Sequence, residues 1–326
     1  MSLPRRTLAF CAAIDRLSGP PLSQKSLAQI RRTRRLQPPH TFPFSLLFGA
    51  VPRDVRWHDE QALTRSGSIR VRRYLPTTPY PPGPWGGSSR AQRPLVLYFH
   101  GGGWVQGGVS GFDSVCAQVA SGVGAVVVSV DYRLAPEHPF PAAVEDAFDA
   151  TSWAVARAES WQVDPARVAV MGDSAGANLA AVVSQLARDA GGPPIAAQVL
   201  AYPGLDGTLS SPSVVALADA PILTRRAIDD FVDRYYPTGD RRDPRFSPLH
   251  APDLSRLPRT LVQTAEYDPL RDDGLRYARA LSEAGVAVRY TEYRDVPHGF
   301  LSFPGAAACG DAPLREIVRE LRDALR

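Results

Sequence analysis

The pentapeptide Gly172-Asp173-Ser174-Ala175-Gly176 constrains this chain more than any other segment. The run Arg167-Val168-Ala169-Val170-Met171 precedes it and has the composition of a strand. Ala177-Asn178-Leu179-Ala180-Ala181-Val182-Val183 follows it and reads as a helix. Gly-x-Ser-x-Gly thus falls where a strand turns sharply into a helix, the context that separates a nucleophile elbow from a chance match. A serine on such a turn is held in strained geometry with its hydroxyl exposed. The flanking glycines let strand and helix approach closely. The helix start offers free N–H groups and a positive dipole end to a developing oxyanion.

A second glycine motif lies upstream. Pro94-Leu95-Val96-Leu97-Tyr98-Phe99 is a strand that runs into His100-Gly101-Gly102-Gly103-Trp104. Three glycines in a row weaken a strand end, because glycine loses the most backbone freedom on folding. A loop that aims two N–H groups at one oxygen gives the run a purpose, as an oxyanion hole requires. A flexible turn is the plain alternative. Either motif alone is weak, but both at strand ends, in this order, leave little room for coincidence.

Downstream come an acid and a base. The strand Arg259-Thr260-Leu261-Val262-Gln263-Thr264-Ala265 empties into Glu266-Tyr267-Asp268-Pro269-Leu270-Arg271-Asp272-Asp273. A later strand, 286–293, is followed by Asp295-Val296-Pro297-His298-Gly299-Phe300. The order Ser, Asp, His differs from that of chymotrypsin-like or subtilisin-like enzymes. His298 is the best-placed base, in a turn set by Pro297 and Gly299. His100 is its rival and is read instead as orienting the glycines. Asp268 is favoured as the acid, because the position before proline holds it extended. Glu266, Asp272 and Asp273 compete, the last two suiting the first turn of a helix. Trp104 is balanced between a pocket wall and simple packing. Asp173 is expected to brace the elbow, and Asp131, Tyr132 and Arg133 to form a structural polar cluster.

Together these segments, with Asp131-Tyr132-Arg133-Leu134-Ala135-Pro136-Glu137-His138-Pro139-Phe140-Pro141-Ala142 and Ser247-Pro248-Leu249, resemble the hormone-sensitive-lipase-like family of α/β-hydrolase carboxylesterases. The resemblance runs from about Val71 to the C-terminus. It implies an α/β-hydrolase fold with a helical cap. It also implies Ser174 as nucleophile, Asp268 as acid, His298 as base, and Gly101, Gly102 and Ala175 as oxyanion donors. The family includes hormone receptors that have lost the catalytic histidine, and His298 argues against that role here.

The rest of the 326 residues set limits. The chain is long enough for one large α/β domain with an added cap. Net charge is +4, and Lys25 is the one lysine among 37 basic residues. The dense run Arg31-Arg32-Thr33-Arg34-Arg35 is read as a solvated helix face, since no aromatic interleaving or nucleic-acid motif accompanies it. Cys11, Cys116 and Cys309 show neither a disulfide framework nor zinc spacing. Arg5-Arg6 before a short apolar stretch imitates an export signal, but Asp15-Arg16 ends it without a small-residue cleavage site. A cytoplasmic protein is expected, with no stable membrane insertion, no nucleic-acid partner, no metal and no organic cofactor. A homodimer is compatible with all of this.

Strands and helices alternate along most of the chain. Strands are predicted at 68–74, 94–99, 125–130, 167–171, 195–201, 259–265 and 286–293, and helices at 112–121 and 142–158. This pattern predicts an α/β protein with a mostly parallel central sheet and helices on both faces. The segment 76–90, rich in Pro, Gly and Ser, is read as a surface loop. One or more X-Pro bonds within 135–141 are candidates for cis. Residues 1–52 lack strands and contain a helix within 23–35. Residues 203–257 break the rhythm, with a helix at 222–235 capped by Thr224. The expected division is a first cap part at 1–52 and a catalytic domain at 53–326, into which 203–257 is inserted as the second cap part. Phe44 and Leu47, in the apolar stretch 41–48, are expected to line the substrate pocket with Trp104. The leading reading is a serine carboxylesterase acting on short-to-medium acyl esters. A deacetylase or amidase of secondary metabolism, and a non-catalytic ligand-binding protein, are the alternatives.

Overall fold

A computed structural model describes residues 3–36, 39–79 and 92–326. The loop expected at 76–90 lies largely outside the described residues. One sheet of eight strands organises the molecule: β1 (Val55–Thr64), β2 (Gly67–Pro76), β3 (Arg93–Phe99), β4 (Val126–Val130), β5 (Val163–Asp173), β6 (Ala197–Ala201), β7 (Arg259–Tyr267) and β8 (Val288–Pro297). The spatial order is β1-β2-β4-β3-β5-β6-β7-β8. β1 and β2 form an antiparallel hairpin, and β2 pairs antiparallel with β4. From β4 to β8 every pairing is parallel. Parallel neighbours require crossovers, and helices supply them.

The helices are α1 (Arg5–Ser18), α2 (Leu27–Arg35), α3 (Ser45–Phe48), α4 (Asp113–Val123), α5 (Ala142–Val155), α6 (Ala158–Trp161), α7 (Ala175–Ala190), α8 (Pro212–Ala216), α9 (Arg225–Tyr235), α10 (Arg271–Glu283) and α11 (Ala312–Ala324). The central strands are apolar on both sides, so successive residues serve two cores. Leu95, Leu97, Phe99, Val168 and Val170 pack with α5, α7 and α10. Their neighbours Val96, Tyr98, Ala169 and Met171 pack with α4 and α11. Full burial of a valine or leucine side chain stabilises the fold by about 1.5–3 kcal/mol relative to exposure. None of the described helices is long and apolar enough to cross a membrane.

Strand β1 departs from the sequence reading, which placed no strand before 68. Only Val55 and Ala62 of its ten residues are buried. Cross-strand ion pairs hold it instead: Arg72 Nε to Asp59 Oδ1 at 2.6 Å, and Arg73 Nε to Glu60 Oε1 at 2.5 Å. An edge strand held by charge carries little apolar alternation, so the usual signal is missing. The helix expected at 142–158 is divided into α5 and α6. Thr224 caps α9 as expected, accepting from Ala227 N at 3.1 Å. The Ala135-Pro136 and Phe140-Pro141 bonds are cis.

The two strand-poor segments meet. Arg234 of α9 donates to Leu22 O at 2.8 Å, and Ser23 N donates to Asp230 Oδ2 at 3.0 Å. A capping box at Ser26 and Gln29 starts α2, whose Ile30 is fully buried in the core shared with Ile228, Val232 and Tyr235 of α9. α2 and α9 therefore approach the carboxyl ends of the parallel strands, where open α/β sheets place their ligands.

Candidate active site

Four strand ends converge on one cavity. Ser174 follows β5, the glycine loop follows β3, Asp268 follows β7 and His298 follows β8. Ser174 itself sits at φ 52°, ψ −118°, at the start of α7. For a residue with a Cβ this region costs on the order of 1–3 kcal/mol. The surroundings impose it. Ser174 N donates to Ala201 O of β6 at 2.9 Å. A Cβ on Gly176 would collide with the Phe99 carbonyl of β3, and one on Gly172 with the Gly176 carbonyl. Both elbow glycines are thus required by close approach.

Three side chains form a chain of contacts. His298 Nε2 lies 2.9 Å from Ser174 Oγ, and His298 Nδ1 lies 2.7 Å from Asp268 Oδ2. Asp268 is fully buried, and its other oxygen accepts from Leu270 N at 2.8 Å. A carboxylate only accepts, so Nδ1 is the nitrogen that carries hydrogen. Nε2 is then left to accept from the Ser174 hydroxyl. The edge of Tyr202 packs on the imidazole, with ring centres 4.8 Å apart. The competing carboxylates are engaged elsewhere. Glu266 accepts from Asp295 N at 2.9 Å, and Asp272 from Ser213 N at 2.9 Å.

Asp173 has a larger part than bracing the elbow. It is buried, and its Oδ1 accepts from Tyr98 Oη at 2.6 Å and from Gly101 N at 2.8 Å. This overturns the expectation that Gly101 is an oxyanion donor, because its N–H already points at Asp173. Gly102, Gly103 and Ala175 also border the cavity. Among the described residues their N–H groups have no hydrogen-bond partner. Nothing in the sequence distinguished the first glycine from the third; the difference lies in a contact 72 residues apart. His100 is buried and stacks on Tyr132 with ring centres 4.3 Å apart. Its Nδ1 lies 2.8 Å from Gly101 O, so it donates there and steadies the loop. Burial holds its pKa below the ordinary histidine range.

Burial pushes the Asp173 carboxyl up to about 6, against the pull of Tyr98 and Gly101. A carboxyl raised on folding holds a proton in the native state that the unfolded chain has released. Its contribution to stability is therefore greatest below the unfolded value of about 3.9 and is lost as pH rises toward 6. Asp173→Asn keeps an acceptor for Tyr98 and Gly101 and removes this titration. Wild-type stability relative to Asp173→Asn is expected to fall between about pH 4 and 6, where the unfolded and native values lie. Paired melting curves across that window check it; parallel curves would refute the assignment.

The cavity has a volume of about 390 Å³. Trp104 lines it and also stacks on Tyr235, with ring centres 4.6 Å apart and planes 6° apart, so it is both wall and packing. Phe231 of α9 lies against Gly103, where a Cβ would strike its ring. From α2 and the residue that ends it, the wall residues are Thr33 and Leu36. Phe44 and Leu47, expected here, are not among the lining residues. Their segment is turned away: Leu47 O accepts from Gly305 N at 3.1 Å, and Phe48 packs on Phe10, which packs on Phe303. Phe48 packs into this second core, whereas Phe42, Phe44, Leu46 and Leu47 are exposed to solvent.

Two buried acids border the cavity: Asp206, which the sequence reading did not single out, and Asp273, which it placed in the first turn of a helix. Asp206 accepts from His250 Nε2 and Arg276 Nη1, both at 3.0 Å. Although burial raises its pKa, these groups with Ser210 and Thr208 hold the carboxyl well below the usual range. Asp273 accepts from Leu205 N at 2.9 Å and from Ser211 Oγ, and burial pushes it up to about 7. Together they fix the loop after β6 to α10. A first-turn carboxylate was legible at 273, but its partners were not.

Comparison with known proteins adds independent findings. Residues 96–302 match the family described by the alpha/beta hydrolase fold. The chain is 46% identical to carboxylesterase NlhH of Mycobacterium tuberculosis over 73% of this chain and 77% of that protein. It is 39% identical to an ethyl acetate hydrolase of Pseudomonas putida, over 71% of this chain and 73% of that protein. Among solved structures, a hyperthermophilic esterase from Pyrobaculum calidifontis shares 42% identity at a TM-score of 0.77. That match covers 83% of this chain and 87% of the other.

Proposed function

The chain belongs to the α/β-hydrolase fold family, in its hormone-sensitive-lipase-like carboxylesterase branch, and from this we propose how its residues divide the work. It is a serine carboxylesterase. The observation that carries the residue assignment is the contact chain Ser174–His298–Asp268, at 2.9 and 2.7 Å, on a strained elbow. In the proposed reaction Ser174 Oγ attacks the ester carbonyl carbon while His298 Nε2 takes the hydroxyl proton. The carbonyl oxygen becomes an oxyanion held by the N–H groups of Gly102, Gly103 and Ala175. Collapse of the tetrahedral intermediate breaks the bond to the alcohol oxygen, which receives the proton from His298. Water then attacks the acyl-Ser174 ester by the same route and releases the acid. Asp268 keeps the imidazole in the productive tautomer and stabilises the imidazolium, without taking the proton. The relatives named above are esterases, which lends no support to the amidase or non-catalytic readings.

The substrate range and the cap belong to the same proposal. Of the cap expected at 1–52 and 203–257, the part from Leu22 to Leu36 acts with 203–257 over the cavity, supported by the contacts between Leu22, Ser23 and α9. The cavity of about 390 Å³ is near the low end of the range, about 300–1,000 Å³, usual for small-molecule sites. Short-to-medium acyl groups fit such an enclosure. Along a p-nitrophenyl ester series from two to sixteen carbons, kcat/KM is expected to rise and then fall. Each buried methylene adds about 0.8 kcal/mol until the pocket is full. Phe231→Ala, which opens the wall above Gly103, is expected to move the maximum to longer chains. A maximum at sixteen carbons in the wild type, or an unmoved maximum in the variant, would count against an enclosing cap. A cytoplasmic location is part of the proposal, supported by three free cysteines.

A further inference from the structure

The arginine run at 31–35 is not a uniform solvated face. Arg31 has 57% of its side chain exposed, but Arg34 only 16%. Arg34 reaches from α2 to two separate stretches of chain. Its Nη1 and Nη2 donate to Glu137 Oε1 at 2.8 Å and Oε2 at 2.9 Å. Nη2 also donates to Ala135 O at 2.6 Å, and Nε donates to Val105 O at 2.8 Å. Val105 follows Trp104 directly and closes the turn that begins at Gly102, donating to Gly102 O at 3.1 Å, while Gln106 N reaches the same oxygen at 2.8 Å. Ala135 N donates in turn to Trp104 O at 2.9 Å.

A loop of three glycines has little stiffness of its own. The aim of the Gly102 and Gly103 N–H groups must therefore come from ties at its two ends. Asp173 supplies the first through Gly101 N. We propose that Arg34 supplies the second, as a positioning residue that fixes the far end of the oxyanion loop through Val105 O and Ala135 O and makes the loop's aim depend on a docked α2. The rigid guanidinium fork suits this use, since it can serve a carboxylate and two carbonyls at once. Arg34 and Arg31 hold the Glu137 carboxyl down to about 2 although burial opposes them, so the fork has a charged partner at any working pH. The proposal rests on the serine-esterase reading above.

The test compares four variants of the full-length enzyme on one p-nitrophenyl ester. Arg34→Gln is expected to lower kcat by about tenfold to a hundredfold, the scale of a small misplacement of catalytic groups, with KM nearly unchanged. Affinity for a trifluoromethyl ketone, whose adduct with Ser174 carries the oxyanion, should fall in parallel with kcat/KM. Glu137→Gln leaves both carbonyl contacts in place and should change kcat by less than about threefold, while its melting temperature falls with the loss of a largely buried ion pair. The exchange Arg34→Glu with Glu137→Arg restores opposite charges but not the carbonyl contacts, so the melting temperature should recover while kcat does not. Wild-type kcat in Arg34→Gln, an unchanged inhibitor affinity, an equal loss in Glu137→Gln or recovery of kcat in the exchange would each overturn the proposal. Ser174→Ala is the control for the underlying reading. If it retains turnover, that reading fails; if it is inactive while Arg34→Gln is normal, only the positioning role fails.

Discussion

Ser174→Ala is expected to lower kcat on a simple p-nitrophenyl ester by about four to six orders of magnitude, with the fold intact, and His298→Ala by a similar amount. The two losses share a cause. The serine hydroxyl is a weak nucleophile until a base removes its proton, and the same base returns that proton to the leaving alcohol. His298 Nε2 is 2.9 Å from Ser174 Oγ, within reach of that transfer. Because the two act as a unit, the double variant should be scarcely worse than either single one. The residual activity would come from binding and the oxyanion donors. Circular dichroism and melting curves establish that the fold survives. A tenth of wild-type turnover in Ser174→Ala would show that another group attacks the ester.

Asp268→Asn is expected to cost about three to four orders of magnitude in kcat, close to the loss of the serine itself although the residue never meets the substrate. Asp268 accepts on both oxygens, from His298 Nδ1 at 2.7 Å and from Leu270 N at 2.8 Å. An asparagine offers one acceptor and one amino group, and Leu270 N–H cannot change what it presents. The amide oxygen therefore turns toward Leu270, and the amino group faces His298. The imidazole must then accept at Nδ1, which puts its hydrogen on Nε2, toward Ser174. In that tautomer it cannot take the serine proton. Asp268→Glu, which keeps an acceptor, should lose less. The check is kcat for both variants together with the nitrogen chemical shifts of His298, which report the tautomer. A productive tautomer in an inactive Asp268→Asn would remove the explanation.

The parts of the fold that the sequence disclosed are those with a short-range cause. The central parallel strands are apolar on both sides, so β3, β4 and the second half of β5 stand out as buried runs. The elbow is legible because Gly172, Ser174 and Gly176 lie within five residues, although the demand that Gly176 answers comes from β3. Strand β1 is not, because its pairing depends on charges from the next strand. The same division holds at the site. Ser174, Asp268 and His298 can be picked out by their place after strands. The exchange of Gly101 for Gly103 as a proposed donor follows from Asp173, far away in sequence. Phe44 and Leu47 went astray because apolar composition does not by itself mean burial, and both side chains are exposed. Arg34 looked like its neighbours in a basic run, and only the folded chain separates a half-buried fork from exposed charges.

The backbone at residue 174 sets heat resistance against turnover. Its φ of 52° and ψ of −118° are strained for serine but open to glycine. A library ranked by thermal survival alone would therefore reward glycine at 174, and every such winner would be inert. Directed evolution of this molecule needs an activity readout in each round, because here a position open to stabilisation is one whose loss is fatal.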